Sequence, residues 1–308
     1  MSVRSLAVSA RYLSRDECEA ITKRALSFAT ADETRVVVNS INISNTRFAV
    51  NQISTGGDSF DSVVNVISRF GKQSGSSSTN RLDDDGLRAA VQMSERVAKL
   101  SPADPEAMPE LSAQTYQNGV NWSDTTASLD PATRALAVKR IADPAKAAGL
   151  VSTGFMEAIT GAQAIANNKG LFAYNRSTSS VLTTTVRTAD GTGSGWGGAT
   201  HHDWSRIDAA TLGNRATQKA RSSINPVAIE PGRYTVVFEP TAVGNLVQFI
   251  TRAFNARSAN LVLSVGQRKS STNASRSRAI RSIQRSRVHR SVVTDHPHNA
   301  SCGLRTVL

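Results

Sequence analysis

The chain has 308 residues, with 36 Lys and Arg against 24 Asp and Glu, two cysteines and five histidines. That length allows about two domains with substantial cores. Cys18 and Cys302 alone exclude a disulfide-framed secreted scaffold, and no apolar run approaches the roughly 18 residues that cross a membrane. The opening MSVRSLAVSARYLS has too short an apolar stretch for a secretory signal and reads as a frayed terminus. The expectation is a cytoplasmic protein with no membrane partner.

In chain order, Ser14-Arg15-Asp16-Glu17 has the form of a capping box. Ile21, Ala25 and Phe28 follow at helical spacing, which predicts a helix over 14–29. Val36, Val37 and Val38 predict a strand over Thr34–Ser40, and Phe48, Val50 and Ile53 a second over Asn45–Ile53. Gly56-Gly57-Asp58 supplies a turn before a third strand, Phe60–Phe70. Gly75–Asn80 reads as a polar loop. Asp83-Asp84-Asp85 opens a helix with an apolar stripe of Leu87, Ala90, Val91, Val97 and Ala98. Capping explains those acids better than a metal, because adjacent helical side chains diverge. Ser101–Pro109 is a proline-rich connector, and Asp130-Pro131 starts a helix that Gly149 stops.

The second half predicts short strands at Phe155–Asn167, Gly170–Tyr174 and Val181–Ala189, then a glycine-rich run, Asp190–Gly198, around Trp196. That run lacks the lysine and the following helix of a phosphate-binding loop, and reads as a mobile hairpin. A helix over Asp208–Ser222 places Leu212, Ala216 and Ala220 on one face. A strand, Tyr234–Glu239, leads into a last helix from Pro240, with Val243, Leu246, Val247, Ile250 and Phe254 on its apolar stripe. The fold class expected is α+β in two domains. The N-terminal domain, 1–125, combines a helix with an antiparallel sheet. The C-terminal domain, 126–257, is mostly β with helices.

Residues 258–308 hold nine Lys and Arg against one acid, Asp295, while the first 257 residues hold 27 basic against 23 acidic residues. This tail has ten serines and no Phe, Tyr or Trp, too little apolar surface to bury, so it reads as disordered or out of frame. A frameshift near Ala259 fits the abrupt change, since codons for the tail, read one nucleotide forward, permit quite different sequence.

Candidate chemistry is sparse. Besides the triple Asp, His201-His202-Asp203 is the only other cluster that raises a metal, but neighbouring strand residues point to opposite faces, so a solvated loop is the favoured reading. Cys18 lies beside Glu17 and Glu19, which raise a thiol pKa and disfavour a reactive thiolate. Ser194 lacks the strand–turn–helix context of a hydrolase nucleophile.

Three segments carry a family resemblance: Thr46–Ile53 (TRFAVNQI), Asp190–Trp196 (DGTGSGW) and Ile229–Leu246 (IEPGRYTVVFEPTAVGNL). Together they resemble the TldD/PmbA family, also labelled TldD/TldE metalloproteases or modulators of DNA gyrase, from about Tyr12 to Arg257. The resemblance implies a metallopeptidase fold. Its TldD-like members bind zinc through an HExxxH helix after the VVFEP strand and a later Cys, with the Glu as general base. Here Gln248 and Phe249 stand where His and Glu would be, and Ala253 where the second His would be. Gln and Ala cannot replace imidazole at zinc. The resemblance therefore implies a PmbA/TldE-like chain with no catalytic or metal residues and no cofactor of its own. Its partner would be a zinc-bearing TldD-like subunit, and peptides the substrate of the pair. Gly193, Ser194, Gly195, Trp196 and Gly197 are the candidate peptide or partner contacts. The other readings are a nucleic-acid-binding protein using the basic tail and a stand-alone structural dimer.

Overall fold

The computed structural model describes residues 12–117 and 119–251. The tail expected to be disordered or out of frame lies outside the described residues. The chain divides into two compact units, Met1–Val227 and Ala228–Leu308.

The first unit is built on one six-stranded antiparallel sheet with strand order β3-β2-β1-β4-β5-β6. Its opening helix, α1 (Arg15–Ser27), starts at the expected capping box: Glu17 N–H donates to Ser14 Oγ at 3.2 Å, and Ser14 N–H to Glu17 Oε2 at 2.7 Å. Two orphan amides are satisfied reciprocally. β1 (Glu33–Ala49) is one 17-residue strand where two shorter ones were expected. It turns at Val50-Asn51, both at positive φ (51° and 60°), into β2 (Gln52–Phe70). Positive φ at both central residues suits a two-residue hairpin turn. Asn51 holds the turn in place. Its N–H donates to Ser152 O (3.1 Å) and its Nδ2 to Leu150 O (2.9 Å), while Ser152 N–H donates to its Oδ1 (2.7 Å). Gly56-Gly57-Asp58, expected as the turn, instead lies inside β2 opposite Thr46, Asn45 and Ser44.

The expected loop at Gly75–Asn80 is also corrected: Gln73–Thr79 forms β3, paired with Val64–Phe70. Its serines and glycine let α2 (Asp84–Leu100) lie directly on the strand, since a Cβ at Gly75 would meet Ala98 N at 2.2 Å. The acids before α2 behave as a cap, with Asp83 accepting from Gly86 N–H at 2.7 Å.

A connector without long elements then skirts the strand ends. Asp104 N–H donates to Lys72 O, Arg69 bonds Met108 O, Asn167 Nδ2 donates to Leu111 O, and Thr178 N–H donates to Asn121 O. After a single turn, α3 (Asp124–Ala127), comes α4 (Pro131–Ala147), with Asp130 as cap and proline in its first turn. β4 (Val151–Asn167) and β5 (Phe172–Arg187) are again long strands. β5 joins the two short ones expected at Gly170–Tyr174 and Val181–Ala189. β6 (Ser194–His201) and α5 (Ala209–Ser222), capped by Asp208, complete the unit.

Because β1 pairs with β2 on one side and β4 on the other, the sheet runs without a break across residue 125, where a domain boundary was expected. Side chains alternate on each strand, and all four long helices pack on one face. The core there is double. Ile21, Ala25, Val36, Val38, Val64, Val66, Leu87 and Val91 close one end under α1 and α2. Phe48, Val138, Ile141, Met156, Leu182 and Leu212 close the other under α4 and α5. Between them the buried sheet face is polar, with Ser40, Asn42, Ser44, Ser62 and Thr160. The opposite face carries Val37, Ile41, Ile43, Phe155, Ile159 and Val181, all half-buried.

In the second unit, 228–239 has no regular secondary structure among the described residues, so the expected strand Tyr234–Glu239 does not form. A strand needs a ladder partner, and no strand of the described chain pairs with it. Tyr234 OH instead donates to Glu230 O at 2.5 Å in a local turn. The helix from Pro240 forms as expected, as α6 (Pro240–Thr251). No helix among the described residues is long and apolar enough to cross a membrane.

Candidate functional site

The glycine-rich segment is a tight hairpin followed by a strand. Gly191 turns the chain at φ +76°. Asp190 accepts from Thr188 Oγ1 at 2.6 Å, Thr192 N–H at 3.1 Å and Thr192 Oγ1 at 3.0 Å. The Thr188 hydroxyl and then the Thr192 donors hold its carboxyl below the usual aspartate range. Thr188 Oγ1 accepts Gly193 N–H at 2.8 Å. The loop amides are therefore spent inside the loop rather than turned outward to cradle an anion.

Gly193 and the glycines of β6 have a packing role. A Cβ at Gly193 would meet Ala220 O at 2.3 Å, at Gly195 the Ala216 O at 2.1 Å, and at Gly197 the Leu212 O at 2.6 Å. These three alternate residues face α5 and let its backbone lie against the strand. The period of two throws Ser194 and Trp196 onto the other face. Trp196, 37 % exposed, folds back over Gly198, where a Cβ would touch its ring at 2.5 Å. The five candidate contacts thus divide: Gly193, Gly195 and Gly197 lie against the helix, and Ser194 and Trp196 look out from the open face beside Arg187 and Thr185. The outer edge of β6 is already engaged. Ser223 Oγ accepts Ser194 N–H (2.8 Å) and donates to Ser194 O (3.0 Å), and Lys219 Nζ donates to Trp196 O (3.0 Å).

His201 and His202 stack at 4.4 Å between centroids, and His201 Nδ1 accepts Asp203 N–H at 2.9 Å. Asp203 Oδ1 accepts from Thr125 Oγ1 (2.5 Å), Ser123 Oγ (3.1 Å) and Ser205 N–H (3.0 Å), bonds that hold its carboxyl far below the usual range. This cluster ties α3 to the turn after β6 and leaves no convergent donor set. Among the described residues no group of three His, Cys, Asp or Glu is placed to hold a metal ion. Burial first, and the nearby Glu17 charge, push the Cys18 thiol up to about 11, against thiolate reactivity.

Of the family-motif positions, Gln248 and Phe249 lie on α6, and Ala253 lies outside the described residues. An amide and a phenyl ring offer zinc neither imidazole nor carboxylate, so the residues present do not fit that metal.

A surface cluster escaped sequence reading. Trp122 packs on Tyr12 at 5.2 Å between centroids, the Arg176 guanidinium lies 4.2 Å over the Trp122 ring, and Arg176 Nη1 donates to Tyr12 OH. Its members come from three distant segments, and no local pattern joins them.

Comparison with known proteins places these features. Residues 123–224 match the model of the PmbA/TldA metallopeptidase central domain. No curated protein matches the chain in sequence. Among solved structures, TldE from Thermococcus kodakarensis superposes with a TM-score of 0.59 at 15 % identity, over 66 % of this chain and 47 % of that one. Proteins described as modulators of DNA gyrase superpose too. The one from Thermotoga maritima gives 0.61 at 16 % identity, over 70 % and 50 % of the two chains. The one from Bacteroides thetaiotaomicron gives 0.69 at 15 %, over 79 % and 58 %. At these identities the likeness is one of fold, and the chain spans about half the length of the solved structures it matches. The matched segment begins beside α3 and ends just beyond α5, enclosing the glycine-rich hairpin and β6, and this segment is similar to the central domain of PmbA/TldA metallopeptidases.

Proposed function

We propose that this chain is a PmbA/TldE-type subunit without catalytic residues of its own, which joins a zinc-bearing TldD-like subunit in a cytoplasmic complex that processes unfolded or leader peptides. The observation that carries the reading is the side-chain set on α6. Gln248 and Phe249 occupy the positions at which the resemblance expects the first His and the Glu. A subunit in this state contributes binding surface and leaves water activation to its partner. The open face of the sheet supplies such surface near Ser194 and Trp196. There a half-exposed indole stands beside strand residues with hydroxyl groups, Thr183 and Thr185. An aromatic platform with hydroxyl donors accepts extended peptide with little demand on its sequence.

The test is to mix the full chain with a purified TldD-like subunit and to measure mass and casein cleavage. Association, with cleavage that neither chain gives alone, is expected. Failure to associate with a subunit shown to be active with another TldE-type chain would overturn the proposal.

A further inference from the structure

The open face of the sheet carries two cations that the fold leaves unpaired. In register, Gly198 of β6 stands opposite Thr183 of β5, Thr183 opposite Phe155 of β4, and Phe155 opposite Arg47 of β1. The Trp196 indole lies over Gly198, and the Arg47 guanidinium lies 5.1 Å from the centre of the Phe155 ring. One row across four strands therefore reads indole, hydroxyl, phenyl and guanidinium. Arg187 stands on the same face, two rows away beyond Thr185 and opposite Ser194. Both arginines are exposed, and neither forms an ion pair among the described residues. The ring under Arg47 orients the guanidinium without cancelling its charge.

Two positive ends joined by aromatic and hydroxyl groups define the ligand. Arg187 pairs with Val151 and Arg47 with Phe155, so the two lie four residues apart along β4 and two strands apart across the sheet. That is about 17 Å, which about five extended residues span. An extended peptide with two acidic side chains at that spacing sets a carboxylate at each arginine. Between them, Trp196 and Phe155 take its apolar atoms. Thr183 Oγ1 already donates to Phe155 O at 3.4 Å, so its lone pairs are left to accept a peptide N–H.

The charge on the face favours peptide over nucleic acid. Glu157, between Asn45 and Val181, stands one row past Phe155 on the side away from Arg187. A run of phosphates continuing in that direction meets a carboxylate, whereas a peptide places its charges singly.

We infer that the open face around Trp196 selects acidic peptides, holding two carboxylates at Arg47 and Arg187. The inference rests on the peptide role proposed for this face, but it needs no TldD-like partner.

The full chain alone tests it. The probe is a peptide of serine, threonine and valine with two glutamates about five positions apart, beside the same peptide carrying glutamines. By calorimetry in low salt, the glutamate peptide is expected to bind at least tenfold more tightly, and added salt should narrow the difference. Arg47→Gln and Arg187→Gln should each weaken the glutamate peptide and leave the glutamine peptide unchanged, with circular dichroism as in the parent. Together they should remove the whole tenfold preference. Trp196→Ala should weaken both peptides alike. Equal affinity for the two peptides overturns the inference while leaving peptide binding by the face standing. A preference that survives the double arginine variant overturns it too, since the charge then acts elsewhere, as on the basic tail. A single-stranded oligonucleotide that binds more tightly than the glutamate peptide, with the same dependence on both arginines, assigns the face to nucleic acid and overturns it as well. Binding of neither peptide removes this inference together with the peptide role of the face, whereas association with a TldD-like subunit is read in the separate mixing experiment.

Discussion

A Cβ on Gly195 would stand 2.1 Å from the carbonyl oxygen of Ala216 and 2.5 Å from the Ala220 amide nitrogen. β6 and α5 therefore meet backbone to backbone, and the glycine-rich sequence is first of all the condition for that contact. Gly195→Ala is expected to force the pair apart and cost about 1–3 kcal/mol or more. Gly57→Ala, where the added carbon meets nothing, should change stability by less than about 1 kcal/mol. Urea denaturation of the two variants beside the parent chain checks this. Equal stability of all three would show that β6 does not sit on α5.

The ion pair between Arg134 and Asp58 spans the polar gap between the two cores. The guanidinium is 3 % exposed and its Nε has no hydrogen-bond partner among the described residues, while Asp58 is 33 % exposed. Burial pushes the Asp58 carboxyl up, but the hydrogen bonds from Arg134 and Ser44 and the Arg134 charge outweigh it and hold the carboxyl below the usual range. A carboxyl with a depressed native pKa contributes stability above its unfolded pKa and loses it as pH falls through the native one. The pair should thus stabilise the chain at neutral pH and weaken in acid below the ordinary aspartate range. Asp58→Asn should cost about 2 kcal/mol at pH 7, less than a fully buried pair because water screens the carboxylate. The difference from the parent should narrow in acid. A difference that stays constant across the acid range would exclude the ion pair as its source.

Local chemistry made some of this legible in the sequence. The Ser14–Glu17 box, the Asp83, Asp130 and Asp208 caps and the helices after them are set by contacts within a few residues, so spacing alone reveals them. The long strands were broken in the wrong places because turn signals are local and ladders are not. Gly56-Gly57 looks like a hairpin, yet the chain turns at Val50-Asn51, where Asn51 is tied to Leu150 and Ser152 a hundred residues away. The serines of β3 hide a strand because its packing partner, α2, accepts small residues only. At the candidate site the alternation Gly193, Gly195, Gly197 did encode a strand on a helix, but flexible loops have the same composition. The Tyr12–Trp122–Arg176 cluster depends wholly on tertiary structure.

The observed hairpin turn makes its own prediction. Val50 is β-branched and sits at φ +51°, a conformation that costs such a residue about 1–3 kcal/mol. Asn or Gly relieves that cost in a two-residue turn. Val50→Asn is expected to raise the unfolding free energy by about 1 kcal/mol, and Asn51→Ala to lower it by about 1–2 kcal/mol through loss of the bonds to Leu150 and Ser152. Thermal melts of the two variants should move in opposite directions. A melting point lowered by Val50→Asn would place the turn elsewhere, as Gly56-Gly57 once suggested.

The last prediction concerns zinc. Tight binding needs three or four convergent imidazole, thiolate or carboxylate groups with deprotonated donors. α6 offers Gln248 and Phe249. The stacked His201 and His202 have one ring nitrogen committed to Asp203 N–H, and Asp203 Oδ1 already takes three hydrogen bonds. The purified chain is therefore expected to retain no stoichiometric zinc after dialysis and to leave casein uncut. His289, His296, His298 and Cys302 lie outside the described residues and need a separate control. A chain carrying His289→Ala, His296→Ala, His298→Ala and Cys302→Ser should give the same metal content and the same absence of cleavage as the parent. One zinc per chain in both forms, together with chelator-sensitive cleavage, would sink the proposal that this subunit relies on a partner for its chemistry. Zinc lost only with the tail substitutions would locate the metal in the tail and leave the proposal for α6 standing.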